Sequence, residues 1–245
     1  MTPDLVLALG LADAADAISL ARFRAADLAI EQKADSTPVT DADRAVERAI
    51  RDELKRARPG DAILGEEEGG TGDAGRRWVI DPIDGTRNYS RRIPVWATLI
   101  ALEEDGAVVL GVVSAPALGR RWWAKRGGGA FASDGRIRVS EVSRVEDAAL
   151  SFALDRPLPA LGARAWHVRG YGDFWAHMLV AEGALDGAVD AVGVTVWDLA
   201  AVQPIVEEAG GVFTDFAGAG RVDGGSALSS NGHLHPLLLE TTTEL

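Results

Sequence analysis

Cysteine is absent from the 245 residues, which removes disulfides, thiolate nucleophiles and any metal centre built on sulfur. Histidine is scarce. The 4 copies, His167, His177, His233 and His235, stand at no metal-ligand spacing and read as core or surface residues. Basic charge is in deficit: 25 Lys and Arg face 37 Asp and Glu, for a net charge of −12. A field of that sign repels nucleic acid and anionic membrane, so neither is expected as a partner. No run of about 18 apolar residues occurs, so no membrane-spanning helix is expected. The first residues carry Asp4 and Asp13 without a basic cluster and do not read as a signal peptide. A cytoplasmic location is therefore expected. What remains is ordinary globular usage, 47% hydrophobic and 25% charged. An acidic chain of this kind takes an anionic substrate only if something cationic sits in its site.

The chain reads as two lobes sharing an interface, 1–145 and 146–245. In the first, apolar positions at helical spacing run over 5–31. A second helix is predicted over 41–57, with Thr40 as N-cap and Asp43 three residues on as its capping-box partner. Strands are predicted at 62–64, running into Gly65-Glu66-Glu67-Glu68, and at 78–80, stopping at Asp81-Pro82. Strands at 95–103 and 107–115 are joined by the hairpin signal Glu104-Asp105-Gly106. Segments 121–125 and 129–131 continue the meander, with Trp122-Trp123 read as core plus subunit interface. The second lobe alternates: strand 149–154, helix 173–182, strand 187–191, helix 199–209, then strands at 212–214 and 227–229. An α+β lobe is thus followed by an α/β lobe. The tail, 240–245, is expected to fray.

The densest chemical signal is Asp81-Pro-Ile-Asp84-Gly-Thr86. Two carboxylates three residues apart follow a buried strand, and Pro82 fixes the turn between them. Such a turn can aim both carboxylates and the Ile83 carbonyl at one point. Oxygen-only ligation suits Mg²⁺, which takes one or two carboxylates plus substrate phosphate. Gly85 and Thr86 then offer backbone N–H groups as a seat for phosphate. A polar turn with an aspartate cap is the plainer alternative. Glu66, Glu67 and Glu68 follow another strand end; such a run is usually a solvated face, but beside a Mg²⁺ turn it becomes a candidate for ligation. Trp197-Asp198 opens a helix, where an aspartate is also an ordinary N-cap. Gly127-Gly-Gly129 lies too far from a strand-to-helix step to cradle a nucleotide.

Taken together, Gly65-Glu66-Glu67, Asp81-Pro-Ile-Asp84-Gly-Thr86, Trp197-Asp198 and the downstream Glu208-Ala-Gly-Gly211 resemble the inositol monophosphatase-like family. The resemblance runs from Val39-Thr40-x-x-Asp43 to Ser230-Asn231-Gly232. It implies a layered α/β/α/β/α sandwich, Mg²⁺-dependent hydrolysis of small phosphomonoesters, and a homodimer. It further implies Glu66, Asp81, Asp84, Asp198 and the Ile83 carbonyl as metal ligands, with Glu67 beside them. Thr86 and Asp43 would orient and deprotonate the attacking water, and Asp84, Gly85 and Thr86 would surround the phosphate. Two or three Mg²⁺ ions would neutralise the phosphate, activate water and stabilise the leaving alkoxide. They would also supply the missing positive charge.

Within the family, Asp84-Gly-Thr-Arg-Asn-Tyr89, Ile93-Pro-Val-Trp-Ala-Thr-Leu-Ile100, Gly170-Tyr-Gly-Asp173 and Leu179-Val-Ala-Glu-Gly183 resemble the actinobacterial-type histidinol-phosphate phosphatases more than the inositol enzymes. Histidinol carries an ammonium and a titratable imidazole, so an acid facing it makes chemical sense. Asp173 is the first candidate for that contact, its alternative being a helix cap. One departure stands out. Where the family places a substrate-contacting glutamate upstream of the Trp-Asp pair, this chain has Ala191, and the nearest acid is Asp190. Arg87, Arg91 and Arg92 follow the metal turn and could steer an anion, although solvated surface is their default. The runner-up substrate is inositol 1-phosphate or a broader set of sugar and nucleotide phosphates.

Overall fold

Helix, sheet, helix, sheet and helix stack in that order, as the family resemblance implies. The computed structural model describes residues 2–34, 36–72, 75–154, 159–191 and 193–242. The outer layer is α1 (Pro3–Arg22), followed by a small hairpin of β1 (Ile30–Gln32) and β2 (Pro38–Thr40), and then α2 (Asp41–Ala57). The first large sheet comprises β3 (Ala62–Gly65), β4 (Gly69–Thr71), β5 (Arg76–Asp84), β6 (Ala97–Glu104), β7 (Ala107–Ala115), β8 (Arg120–Lys125), β9 (Gly129–Ala132) and β10 (Gly135–Arg136). A short α3 (Thr86–Ser90) follows β5. Spatial order is β10-β9-β8-β7-β6-β5-β3-β4, and only the β3–β5 pair is parallel.

The second sheet contains β11 (Ala149–Ala153), then, past α4 (Pro159–Gly162), β12 (His167–Arg169). After α5 (Asp173–Ala181) come β13 (Gly187–Asp190), α6 (Val196–Leu199), α7 (Val202–Glu208), β14 (Val212–Thr214), β15 (Ala227–Ser230) and α8 (His235–Thr242). Its order is β12-β11-β13-β15-β14.

Period-2 alternation along the strands assigns each layer its partner. Trp78, Ile80, Ile100, Leu102 and Val112 turn to one face and pack on Leu5, Leu11, Val46, Ile50 and Leu54 of α1 and α2. Val79, Leu99, Ala101 and Val113 turn to the other and meet Phe174, Met178, Val202 and Ile205 of α5 and α7. The far side of α5 packs through Ala176 and Val180 on Ala149 and Ala188 of the second sheet. Its outer face is closed by Leu161, Leu234 and Leu238.

The structure departs from the sequence expectations at several places. The helix predicted over 5–31 stops at Arg22. Phe23 leaves the helix to pack on Tyr89 and Trp96, each with ring centroids 5.3 Å away, and the Tyr89 hydroxyl donates to the Ser19 carbonyl at 2.7 Å. Residues 30–32 instead pair with 38–40 as strands. The helix predicted over 199–209 starts earlier and breaks into α6 and α7; Pro204 has no N–H to bond the Ala200 carbonyl, which favours the break there. Strand β5 does not stop at Asp81-Pro82 but resumes pairing at Asp84↔Ala97 after an irregularity. There the Thr98 hydroxyl donates to the Pro82 carbonyl at 2.8 Å. The tail is helical through Thr242, whose side chain is buried; 243–245 lie outside the described residues. Among the described residues no helix is long and apolar enough to cross a membrane.

Ile100 pairs with Ile80 and is fully buried under α1 and α2, on the opposite sheet face from Val79 and Leu99, the face to which alternation turns Asp81. Ile100→Ala is expected to cost about 2–5 kcal/mol of stability, measured by denaturant unfolding, with catalytic constants of the folded fraction unchanged.

Candidate active site

The C-terminal end of β5 and the start of α6 meet and bring Asp81, Asp84 and Asp198 together. One carboxylate oxygen from each lies within 4.8 Å of the others. Asp81 and Asp84 are buried, Asp198 partly so. Each is fixed by its own backbone context. The Ile83 N–H donates to Asp81 Oδ1 at 3.0 Å, closing the turn that Pro82 begins. The Phe174 N–H, in the first turn of α5, donates to Asp84 Oδ2 at 2.7 Å. Asp198 Oδ2 accepts the Thr195 N–H at 2.5 Å and the Thr195 hydroxyl at 2.8 Å. Asp198 is therefore not the N-cap of α6, which is Thr195, but its capping-box partner three residues on, and a member of the cluster at once.

Burial pushes all three carboxyls up from the ordinary aspartate range, Asp81 and Asp84 strongly, and neighbouring carboxylates add to it, Glu66 foremost at Asp81 and Asp173 at Asp84 and Asp198. A hard cation relieves both costs, and the donors are all oxygen, so the residues present fit Mg²⁺ or a similar ion. The Ile83 carbonyl accepts the Thr86 hydroxyl at 2.9 Å.

Glu66 and Glu67 stand at the neighbouring strand end, where both carboxylates meet Lys33 Nζ, at 2.7 and 2.6 Å. Burial raises both glutamates, and Lys33 opposes that rise. The ammonium stays protonated because the two carboxylates outweigh its own burial. Lys33, in the loop between β1 and β2, thus supplies positive charge to this corner.

Asp43 is completely buried in the first turn of α2, and the predicted capping box is present. Its Oδ2 accepts the Thr40 N–H at 2.8 Å and the Thr40 hydroxyl at 2.5 Å. Its Oδ1 receives the Thr86 hydroxyl at 3.2 Å. Desolvation pushes the Asp43 carboxyl up to about 7, against the pull of the Thr40 hydrogen bonds. Gly85 joins β5 to α3 with φ of 81°. A Cβ there would press on the Val95 carbonyl at 3.1 Å and on Asp173 Oδ2 at 3.3 Å, so glycine is required.

Beside the cluster opens a cavity of about 480 Å³ whose wall includes Asp84, Arg87, Asp173, His177 and Asp190. Asp173 does not cap α5. It is the first residue of that helix, held at φ of 56°, and its carboxylate turns toward Gly85 and Asn88, whose Nδ2 donates to it at 3.4 Å. Left-handed backbone at a non-glycine residue is strain of the kind found at functional sites. Burial raises the Asp173 carboxyl, and the Arg87 charge opposes this. Asp190 ends β13 and is buried. Arg91 and Arg92 are exposed. The N–H groups of Gly127 and Gly129 donate to the Glu208 carboxylate at 2.6 and 2.7 Å.

Sequence reasoning missed Lys33 and the buried pair of Glu47 and Arg51 on α2. His177, read from the sequence as a core or surface residue, is buried and also lines the cavity. That ring is buried and neutral, pushed down to about 4 by desolvation, with Nδ1 on the Ser229 hydroxyl at 2.7 Å. Of the missed residues, Glu47 had a signal: it lies one helical turn beyond Asp43, on the same face.

The profile of the inositol monophosphatase family matches residues 1–245. This chain belongs to that family. It is 54% identical to the histidinol-phosphatase of Mycobacterium tuberculosis, over 96% of each chain. It is 50% identical to the histidinol-phosphatase of Streptomyces coelicolor, covering 96% of this chain and 95% of that one. Among solved structures, the extragenic suppressor protein suhB from Bartonella henselae superposes with a TM-score of 0.91 at 30% identity, covering 98% of both chains.

The raised carboxyls carry a pH signature. Asp43 binds its proton more tightly folded, at about 7, than unfolded, near the ordinary aspartate value of 3.8, and the clustered carboxyls shift the same way. Their contribution is therefore fully present below about pH 4 and is lost as pH rises through about 7. The melting temperature of chelator-treated protein is expected to fall from about pH 5 to about pH 8. A flat or rising profile in calorimetry would contradict the shifts.

Proposed function

We propose that this chain is a Mg²⁺-dependent phosphomonoesterase that hydrolyses L-histidinol phosphate to L-histidinol and phosphate. The observation that carries it is the joining of the carboxylate cluster to an acid-walled cavity, in a chain similar over nearly its whole length to histidinol-phosphatases. Asp81, Asp84, Asp198, Glu66 and the Ile83 carbonyl would hold two or three Mg²⁺ ions. When bound, the ions neutralise the phosphate, make a water nucleophilic near neutral pH and favour departure of the alkoxide.

The chain's own residues supply the rest. Asp43, through Thr86, orients the attacking water and takes its proton; a carboxyl near 7 is well matched to that task. Gly85 and Thr86 present their N–H groups to the phosphate at the start of α3. Glu67, beside Glu66, tunes the charge of this corner together with Lys33. Asp173 reads the ammonium or imidazolium of histidinol, and Asp190 stands on the same wall, one residue before Ala191. The wall is acidic where an inositol ring would need only neutral hydrogen bonds, which favours a cationic leaving group. On this reading the two lobes, 1–145 and 146–245, each contribute one sheet, and the cavity lies where they meet. The enzyme would work in the cytoplasm as a homodimer on a small-molecule substrate.

Steady-state kcat/KM on histidinol phosphate is expected to exceed that on inositol 1-phosphate. Asp173→Asn should lower it on histidinol phosphate by about ten- to a hundredfold, the worth of a partly buried charge-assisted hydrogen bond. Most of the loss should fall on KM, because the contact is remote from phosphorus and is felt alike in ground and transition states. Equal losses on the charged and the neutral substrate would show that Asp173 does not read the amine. Equal turnover of both substrates by the parent protein would replace this reading with broad specificity.

A further inference from the structure

Helix α2 buries three charged side chains on one face, at successive turns: Asp43, Glu47 and Arg51. Asp43 belongs to the site. Glu47 and Arg51 touch neither cavity nor cluster, yet Glu47 is 0% exposed and Arg51 1%. Charged residues are almost never buried so completely unless something holds them there.

Their partners lie in the turn that carries Glu66 and Glu67. Glu47 Oε2 accepts the Glu67 N–H at 2.7 Å, and Oε1 accepts the Glu68 N–H at 3.0 Å. Arg51 Nε donates to Glu47 Oε1 at 2.7 Å, and its Nη2 donates to the Gly69 carbonyl. On the other side of the turn, the Glu66 N–H donates to the Ile80 carbonyl at 3.2 Å, one residue before Asp81. Gly65 has no room for a Cβ, which would overlap the Glu47 carboxylate. The backbone of residues 66–69 is thus gripped at four points, three of them by one buried ion pair.

We propose that the Glu47–Arg51 pair is a positioning clamp, which sets the direction of the Glu66 and Glu67 carboxylates and thereby the affinity of the cation site. A buried ion pair is weak evidence of stabilisation, since apolar residues of similar volume often serve the fold as well. What apolar residues cannot do is accept the Glu67 and Glu68 N–H groups. Without those bonds the turn loses its fixed direction, and Glu66 no longer faces Asp81. Glu47 and Arg51 act through the turn and contact no substrate. The inference rests on the reading of Glu66 as a metal ligand.

The test compares the full-length parent with Glu47→Leu/Arg51→Met, which removes both charges together, and with Glu47→Gln, which keeps shape and one acceptor. Mg²⁺ affinity is read by calorimetry and the metal-free melting temperature in parallel. The double variant should melt near the parent without metal yet bind Mg²⁺ about ten- to a hundredfold more weakly, as expected when the groups orienting a ligand are removed. Glu47→Gln should fall between them, and it decides the matter if the double variant does not fold. In turnover, the Mg²⁺ concentration giving half-maximal rate should rise by the same factor, with KM for the phosphomonoester little changed. A folded variant binding Mg²⁺ within about twofold of the parent would overturn the clamp. Asp84→Asn is the control: if it too binds Mg²⁺ as the parent does, the metal site itself is wrong and the clamp is not what failed.

Discussion

Carboxylates crowded into a buried corner at the end of β5 repel one another, and much of the architecture serves to hold them there. Left alone, Asp81 and Asp84 would take up protons or turn outward to water. The fold prevents the second course. Asp81 is tied to the Ile83 N–H, Asp84 to the start of α5, and Asp198 to its own helix cap. Each tie is a backbone N–H, so the groups are aimed by secondary structure and not by mobile side chains. The cost of confinement is recovered when a cation enters, which is how an acidic chain comes to bind an anion.

That constraint explains the layering. The eight-stranded sheet must be covered on both faces to bury its ends, so α1 and α2 take one side and α5 and α7 the other. Two of these helices also work at the site. Helix α2 brings Asp43 to Thr86 from one side, and α5 brings the Phe174 N–H and Asp173 from the other. Packing and chemistry share the same elements. Lys33 adds a tethered ammonium from the hairpin between α1 and α2, offsetting part of the charge of Glu66 and Glu67.

Much of this was legible in the sequence where local chemistry dictates the outcome. Thr40 and Asp43 form the capping box that their spacing predicts, and Asp105-Gly106 makes the hairpin turn, with both residues at positive φ. The Asp81–Thr86 segment could be read because proline, glycine and two carboxylates at fixed offsets leave few alternatives. What was hidden depends on contacts distant in sequence. Phe23 ends α1 early because Tyr89 and Trp96, over sixty residues away, receive it. Lys33 is an unremarkable lysine until the hairpin folds it over Glu66. Asp173 looked as much like a cap as a ligand-facing acid, and only its left-handed backbone and its place beside Gly85 separate the two.

The most direct measurement is the melting temperature of chelator-treated protein with Mg²⁺ and inorganic phosphate added back. Ligands that bind only the folded state stabilise it by about 2.7 kcal/mol at a hundredfold excess over Kd, or about 5 to 10 °C for a chain of this size. The account predicts a rise of that order, abolished by Asp81→Asn. An unchanged melting temperature at millimolar Mg²⁺, in folded protein, would contradict the claim that these carboxylates are held together for a cation.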